Sequence, residues 1–126
     1  MAYTILIAED SPTMRSLLAS TLEELGDVTI VETGSGFEAL KFLPRHRFDL
    51  IITDINMPDI NGLELVHFVK SNPEYRKIPL IIISTERSAR DQERGLALGA
   101  DAYLVKPFLP KTLQDTVTRL LPKGKS

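Results

Sequence analysis

The stretch Phe48-Asp49-Leu50-Ile51-Ile52-Thr53-Asp54 decides the fold. Its consecutive branched aliphatics do not alternate with polar residues, so both faces of the segment are apolar. That pattern marks a strand covered on two sides in a parallel sheet, and here it ends on a carboxylate. Similar short runs stand at Thr4–Ala8, Val28–Glu32, Leu80–Ser84 and Ala102–Val105. With Phe48 included, the run starts are 24, 20, 32 and 22 residues apart, and each gap has room for one helix and two short loops.

Helical spacing fills those gaps. Pro12–Leu25 sets Met14, Leu17, Leu18, Leu22 and Leu25 on one stripe and is expected to stop at Gly26. Asn61–Ser71 carries Leu63 and Val66, with Val69 and Lys70 less regularly placed, before the breaker Asn72-Pro73. Ser88–Leu98 ends at Gly99, and Pro110 opens a last helix with Leu113, Val117, Leu120 and Leu121 on one face. Right-handed crossovers with helices on both faces make this an α/β chain with an open, doubly wound, five-stranded parallel sheet. Gly34-Ser35-Gly36 reads as a tight strand-to-helix loop, because it lacks the spacing of a phosphate-binding loop.

The 126 residues, 43% hydrophobic and 25% charged, suit one globular domain over 1–126, with a core over about 4–121 and a frayed tail at 122–126. Fifteen basic against seventeen acidic side chains leave no broad cationic footprint, so direct nucleic-acid binding is not expected. The absence of cysteine excludes disulfides, thiolate metal sites and cysteine nucleophiles. No apolar run is long enough to span a membrane. The N-terminus lacks a basic region and turns acidic at Glu9, which argues against a secretory signal and for the cytoplasm.

In such a sheet, ligands gather beyond the carboxyl ends of the strands. Those ends carry Glu9-Asp10, Asp54, Ser84-Thr85 and Lys106-Pro107, whereas Thr33-Gly34 offers less chemistry. Crowded carboxylates repel one another unless a cation intervenes, and hard oxygen ligands without His or Cys favour Mg2+ or a similar divalent ion. A lysine at that edge can pair with a carboxylate when the site is empty and with an anion when it is filled. The set suits phosphoryl chemistry. Blander readings stand beside this one. Ser11 and Pro12 cap the first helix whether or not Asp10 binds metal. Lys106 alone would be a solvated lysine, and Tyr103 alone partial core. His46 and His67 read as surface residues, and the charged run Glu86–Arg94 as a solvated helix start.

Glu9-Asp10, Thr53-Asp54-Ile55-Asn56-Met57-Pro58 with Asn61-Gly62, Ser84-Thr85-Glu86 and Ala102-Tyr103-Leu104-Val105-Lys106-Pro107-Phe108 fall in order at the ends of successive strands. Over about residues 4 to 121 the chain resembles the receiver domains of response regulators, most of all the single-domain chemotaxis regulators. The resemblance implies the flavodoxin-like strand order 2-1-3-4-5. It implies Asp54 as the phosphoryl acceptor, Asp10 and Asp54 as Mg2+ ligands, the backbone carbonyl of Asn56 completing the metal shell, and Glu9 acting through water. Ser84 and Thr85 match positions beside the phosphoryl group, Lys106 its lysine partner and Tyr103 the aromatic switch. Asn56 and Glu86 flank the path of the hydrolytic water. The Lys106–Pro107 peptide is expected to be cis.

Glu9 stands where aspartate is common, and Thr85 where Ala or Gly is frequent; a β-branched Thr85 would narrow the pocket or restrict Tyr103. The implied partners are a histidine kinase or phosphotransfer protein and an output protein on the face of the fourth helix, fifth strand and fifth helix. The chain is expected to be a monomer or a weak phosphorylation-dependent dimer. It would catalyse its own modification rather than turn over a substrate. The alternative is a phosphate-independent interaction module on the same fold. A Mg2+-dependent phosphohydrolase would need an acid/base aspartate where Asn56 stands, and a flavodoxin-like electron carrier lacks an evident phosphate loop.

Overall fold

The computed structural model describes residues 2–85 and 89–122. Among the described residues five strands and five helices alternate: β1 Tyr3–Ala8, α1 Pro12–Glu23, β2 Val28–Thr33, α2 Gly36–Phe42 with a 3-10 turn Leu43–Arg45, β3 Leu50–Thr53, α3 Gly62–Ser71, β4 Leu80–Ser84, α4 Ala89–Ala97, β5 Ala102–Val105 and α5 Pro110–Leu120. All strand pairs are parallel, in the order β2-β1-β3-β4-β5. This is the doubly wound sheet expected from the spacing. Among the described residues no helix is long and apolar enough to cross a membrane.

The pleat sorts successive side chains to opposite faces and so builds two cores. Ile5 and Ile7 of β1 join Ile52, Ile81 and Ile83 under α1 and α5, whereas Leu6 and Ala8 join Ile51 and Ile82 under α2 and α3. Burial on both sides explains the unbroken aliphatic runs.

Several element limits differ from the expectation for local reasons. β3 begins at Leu50 rather than Phe48, because the Asp49 carboxylate accepts the Thr4 amide at 2.8 Å and replaces a ladder carbonyl at the strand entrance. α1 ends at Glu23 rather than Leu25: Gly26 and Asp27 both take positive φ, 73° and 46°, and turn the chain into β2. Leu17 and Leu25 leave the expected stripe and are exposed, at 44% and 36%, while Leu18, Ala19 and Leu22 face the sheet. Ser88, the expected start of α4, lies outside the described residues, as do Glu86, Arg87 and the last four residues of the tail. α3 gains Leu65 as a further core residue and starts with a full capping box, Asn61 against Glu64.

One close approach positions the site. A Cβ added at Gly62 would lie 1.9 Å from the Asp54 carbonyl oxygen, and the Gly62 amide donates to the Ile55 carbonyl at 2.8 Å. The start of α3 therefore rests directly on the backbone at Asp54. Gly62→Ala is expected to destabilise the fold by about 1–3 kcal/mol or more through this overlap. Gly26→Ala meets nothing within 4 Å but must hold a positive φ, so its cost should be only about 1 kcal/mol. Urea unfolding of both variants checks the order, and equal losses would contradict it.

Candidate functional site

β1 delivers Glu9 and Asp10, β3 delivers Asp54, and β5 delivers Lys106. The strand ends are brought level by register: Ala8 pairs with Thr33 and Thr53, and Ser84 pairs with Val105. The Asp54 amide then donates to the Ala8 carbonyl at 3.0 Å, and the Lys106 amide to the Ser84 carbonyl at 2.8 Å. Glu9, Asp10 and Asp54 each offer a carboxylate oxygen, all within 4.8 Å of one another.

Glu9 and Asp54 are buried, at 1% and 8% exposure, and Asp10 is exposed. The Lys106 ammonium bridges the buried pair, 2.6 Å from Glu9 Oε1 and 3.2 Å from Asp54 Oδ2. The remaining oxygens are also engaged: Glu9 Oε2 accepts the Ser11 amide at 3.1 Å and Asp54 Oδ1 accepts the Ile55 amide at 2.7 Å. Burial and the neighbouring Asp54 charge push the Glu9 carboxyl above its ordinary value, against the opposing pull of Lys106 and the Ser11 amide. Burial would lower Lys106, but its hydrogen bond to Glu9 and the charges of Asp54 and Glu9 outweigh that and raise it.

Three carboxylates face one ammonium, a surplus of two acidic groups over cations. The donors are all hard oxygens, and His46 and His67 are both exposed. His46 instead stacks on Phe42 and lies tilted against Phe48, with ring centroids 6.0 and 5.5 Å away. The set fits a small divalent cation such as Mg2+ in both charge and ligand type.

The structure gathers Glu9, Asp10, Asp54 and Lys106, as the sequence implied, and the Lys106–Pro107 peptide is cis. Ser84 is fully buried at the end of β4, Thr85 is exposed, and Asn56 is exposed two residues beyond Asp54. Tyr103 is half-buried against the core, with a ring carbon 3.6 Å from where a Cβ at Gly95 of α4 would lie. Glu86 falls outside the described residues. Sequence reasoning missed Arg15 and Thr53. The Arg15 guanidinium donates to the Glu9 carbonyl at 2.8 Å, and the Thr53 hydroxyl to the Asp54 carbonyl at 2.9 Å. Both act on backbone, which leaves no mark in a side-chain pattern.

A doubly wound α/β domain with a carboxylate cluster and a facing lysine at its carboxyl edge has the equipment of a phosphoryl-accepting signalling domain. Residues 5–118 match the family model of the response regulator receiver domain, and the chain belongs to that family. A chemotaxis protein CheY homolog of Campylobacter jejuni is 36% identical over 121 residues, 95% of this chain and 93% of its own. The structure of chemotaxis response regulator CheY4 of Vibrio cholerae superposes with a TM-score of 0.88 at 36% identity, covering 96% of this chain and all of that one. A receiver domain of a signal transduction histidine kinase from Syntrophus aciditrophicus gives 0.90 at 39%, covering 99% of this chain and 96% of that domain. Family membership places the chain in a phosphorelay, between a histidine kinase or phosphotransfer protein and a downstream effector.

Removing the bridging cation tests the electrostatics. Lys106→Met leaves two buried carboxylates uncompensated and should cost about 3 kcal/mol, of which Mg2+ restores more than it adds to the parent. Because folding raises the Glu9 pKa, the protonated form is favoured and stability falls as pH rises from below 4.5 through the folded value. Lys106, also raised, keeps its full contribution below 10.5. The variant should therefore lose stability more steeply than the parent as pH rises above 4.5. Parallel urea-midpoint profiles in EDTA would contradict this.

Proposed function

We propose that Asp54 accepts the phosphoryl group and that Lys106, Ser84 and Tyr103 convert it into a change of binding surface. The observation that carries this reading is the Lys106 ammonium, held between Glu9 and Asp54 within the carboxylate cluster. Asp10, Asp54 and the Asn56 carbonyl would hold Mg2+, with Glu9 acting through water. When bound, the ion offsets negative charge on the phosphoryl oxygens.

An Asp54 carboxylate oxygen attacks the phosphorus of phosphohistidine in line. A P–O bond forms, the P–N bond breaks with its electrons going to the imidazole, and an acyl phosphate remains. Lys106 is already within 3.2 Å of Asp54, so its ammonium can turn from Glu9 to a phosphoryl oxygen with little reorganisation. Hydrolysis of the acyl phosphate, with Asn56 beside the water's path, resets the domain. The reaction modifies the protein itself rather than a released substrate.

Ser84 donates its hydroxyl to a second phosphoryl oxygen and moves toward Asp54. That movement vacates space into which Tyr103 turns, altering the face of α4, β5 and α5. A hydrogen bond to a charged group contributes about 1.5–3 kcal/mol, which shifts a two-state population roughly ten- to a hundredfold. Thr85 is exposed rather than part of the buried core, which supports this coupling. It correspondingly weakens the phosphate-independent alternative. The relatives named as chemotaxis proteins match along nearly their whole length and support an effector in chemotaxis or another motility system.

Asp54→Asn should fold normally but take no label from acetyl phosphate with Mg2+, and full labelling would show that Asp54 is not the acceptor. Ser84→Ala should still be labelled at Asp54. Its capture of the effector in the presence of beryllofluoride should fall about tenfold or more. Undiminished capture would break the proposed link from Ser84 to the output face.

A further inference from the structure

Asp59 lies three residues beyond Asn56, outside the carboxylate cluster, and its bonds run to a different element. Its Oδ1 accepts the amides of Gly36 at 3.0 Å and Ile60 at 2.7 Å, and its Oδ2 accepts the amide of Phe37 at 2.8 Å. Gly36 and Phe37 open α2, whose Ser35 cap takes the Glu38 amide at 3.1 Å. Two of the amides that a helix start leaves without an internal partner are thus satisfied by a residue 22 or 23 positions away. Seven residues make a marginal helix, so this anchoring matters to α2 as well as to the loop.

Ile60 reinforces the joint. A Cβ at Gly36 would lie 2.2 Å from Ile60 Cγ1, so the isoleucine seats only because Gly36 has no side chain. At its other end the loop is fixed by the Gly62 amide on the Ile55 carbonyl and by the contact of Gly62 with the Asp54 backbone. Between these anchors, Asn56 and Pro58 are exposed and Met57 packs against the core, so the 56–58 arch is held at its two ends and through Met57. Against the upward push of desolvation, the amides of Phe37, Ile60 and Gly36, helped by Ser35, hold the Asp59 carboxyl at about 2. It is therefore ionised wherever the protein is folded at ordinary pH.

We infer that Asp59 is a positioning residue for the metal site: by capping α2 it fixes the arch that presents the Asn56 carbonyl. This rests on the reading of Asn56 given above. Because the arch and the first turn of α2 share one carboxylate, cation binding and the order of that turn are coupled, and the coupling is reciprocal.

Calorimetric titration with Mg2+ and acetyl phosphate labelling, on the parent and Asp59→Ala, test it. The variant should bind Mg2+ about tenfold more weakly, the lower end of what loss of a ligand-orienting group costs. Its labelling should be slow at low Mg2+ and recover at saturating Mg2+, since no ligand has been removed. Mg2+ should slow hydrogen exchange at the Gly36 and Phe37 amides in the parent and not in the variant. Asp59→Asn, which keeps one acceptor oxygen, should lie between the two and decides the matter if Asp59→Ala does not fold. Unchanged Mg2+ affinity in a folded variant, with the parent binding and labelling normally, would overturn the role of Asp59 alone. A parent that neither binds Mg2+ nor labels would overturn the site reading and this coupling together.

Discussion

The ammonium of Lys106 between two buried carboxylates is the interaction on which the rest of the structure depends. Glu9 and Asp54 come from adjacent strands, and their separation from water is tolerable only with a cation between them. One lysine does not balance three carboxylates. The surplus of acidic groups suits the edge to a divalent ion, and in the proposed function that ion would free Lys106 for an incoming phosphoryl group. On that proposal the same groups stabilise the resting domain and carry out its chemistry.

The fold delivers these groups by register more than by loops. Parallel pairing sets Ala8, Thr53 and Ser84 at one edge, so the residues that follow them meet without long connections. Backbone contacts then fix each carboxylate. Thr53 and Gly62 hold the peptide at Asp54, Arg15 holds the carbonyl of Glu9, and α2 holds the far end of the loop through Asp59. Glu9 suits this arrangement because its longer side chain reaches Lys106 at 2.6 Å.

Legibility in the sequence followed the same division. Strands buried on both faces advertise themselves as aliphatic runs, and β4 and β5 were read to the residue. The carboxylates and Lys106 were legible because each stands directly after such a run. Strand order came only with the family resemblance, since run spacing does not encode which strands pair. The exposure of Leu17 was not legible: α1 turns its Leu18–Leu22 side to the sheet, and a leucine-rich helix does not declare which of two adjacent stripes is covered. Asp59 and Arg15 escaped because their partners are main-chain groups, those of Gly36 and Phe37 far off in sequence and that of Glu9 six residues back, which a side-chain pattern does not mark.

The central claim is that Glu9, Asp10, Asp54 and Lys106 form one electrostatic unit that reorganises around a divalent ion. Carboxyl carbon NMR of protein labelled at Asp and Glu, followed through a Mg2+ titration, observes it directly. The signals of Asp10, Asp54 and Glu9 should shift together along one saturating curve, with the Lys106 ammonium resonance moving in step as its bridge to Glu9 and Asp54 is released. Movement of Asp10 alone, with Glu9, Asp54 and Lys106 unchanged at saturation, would contradict it.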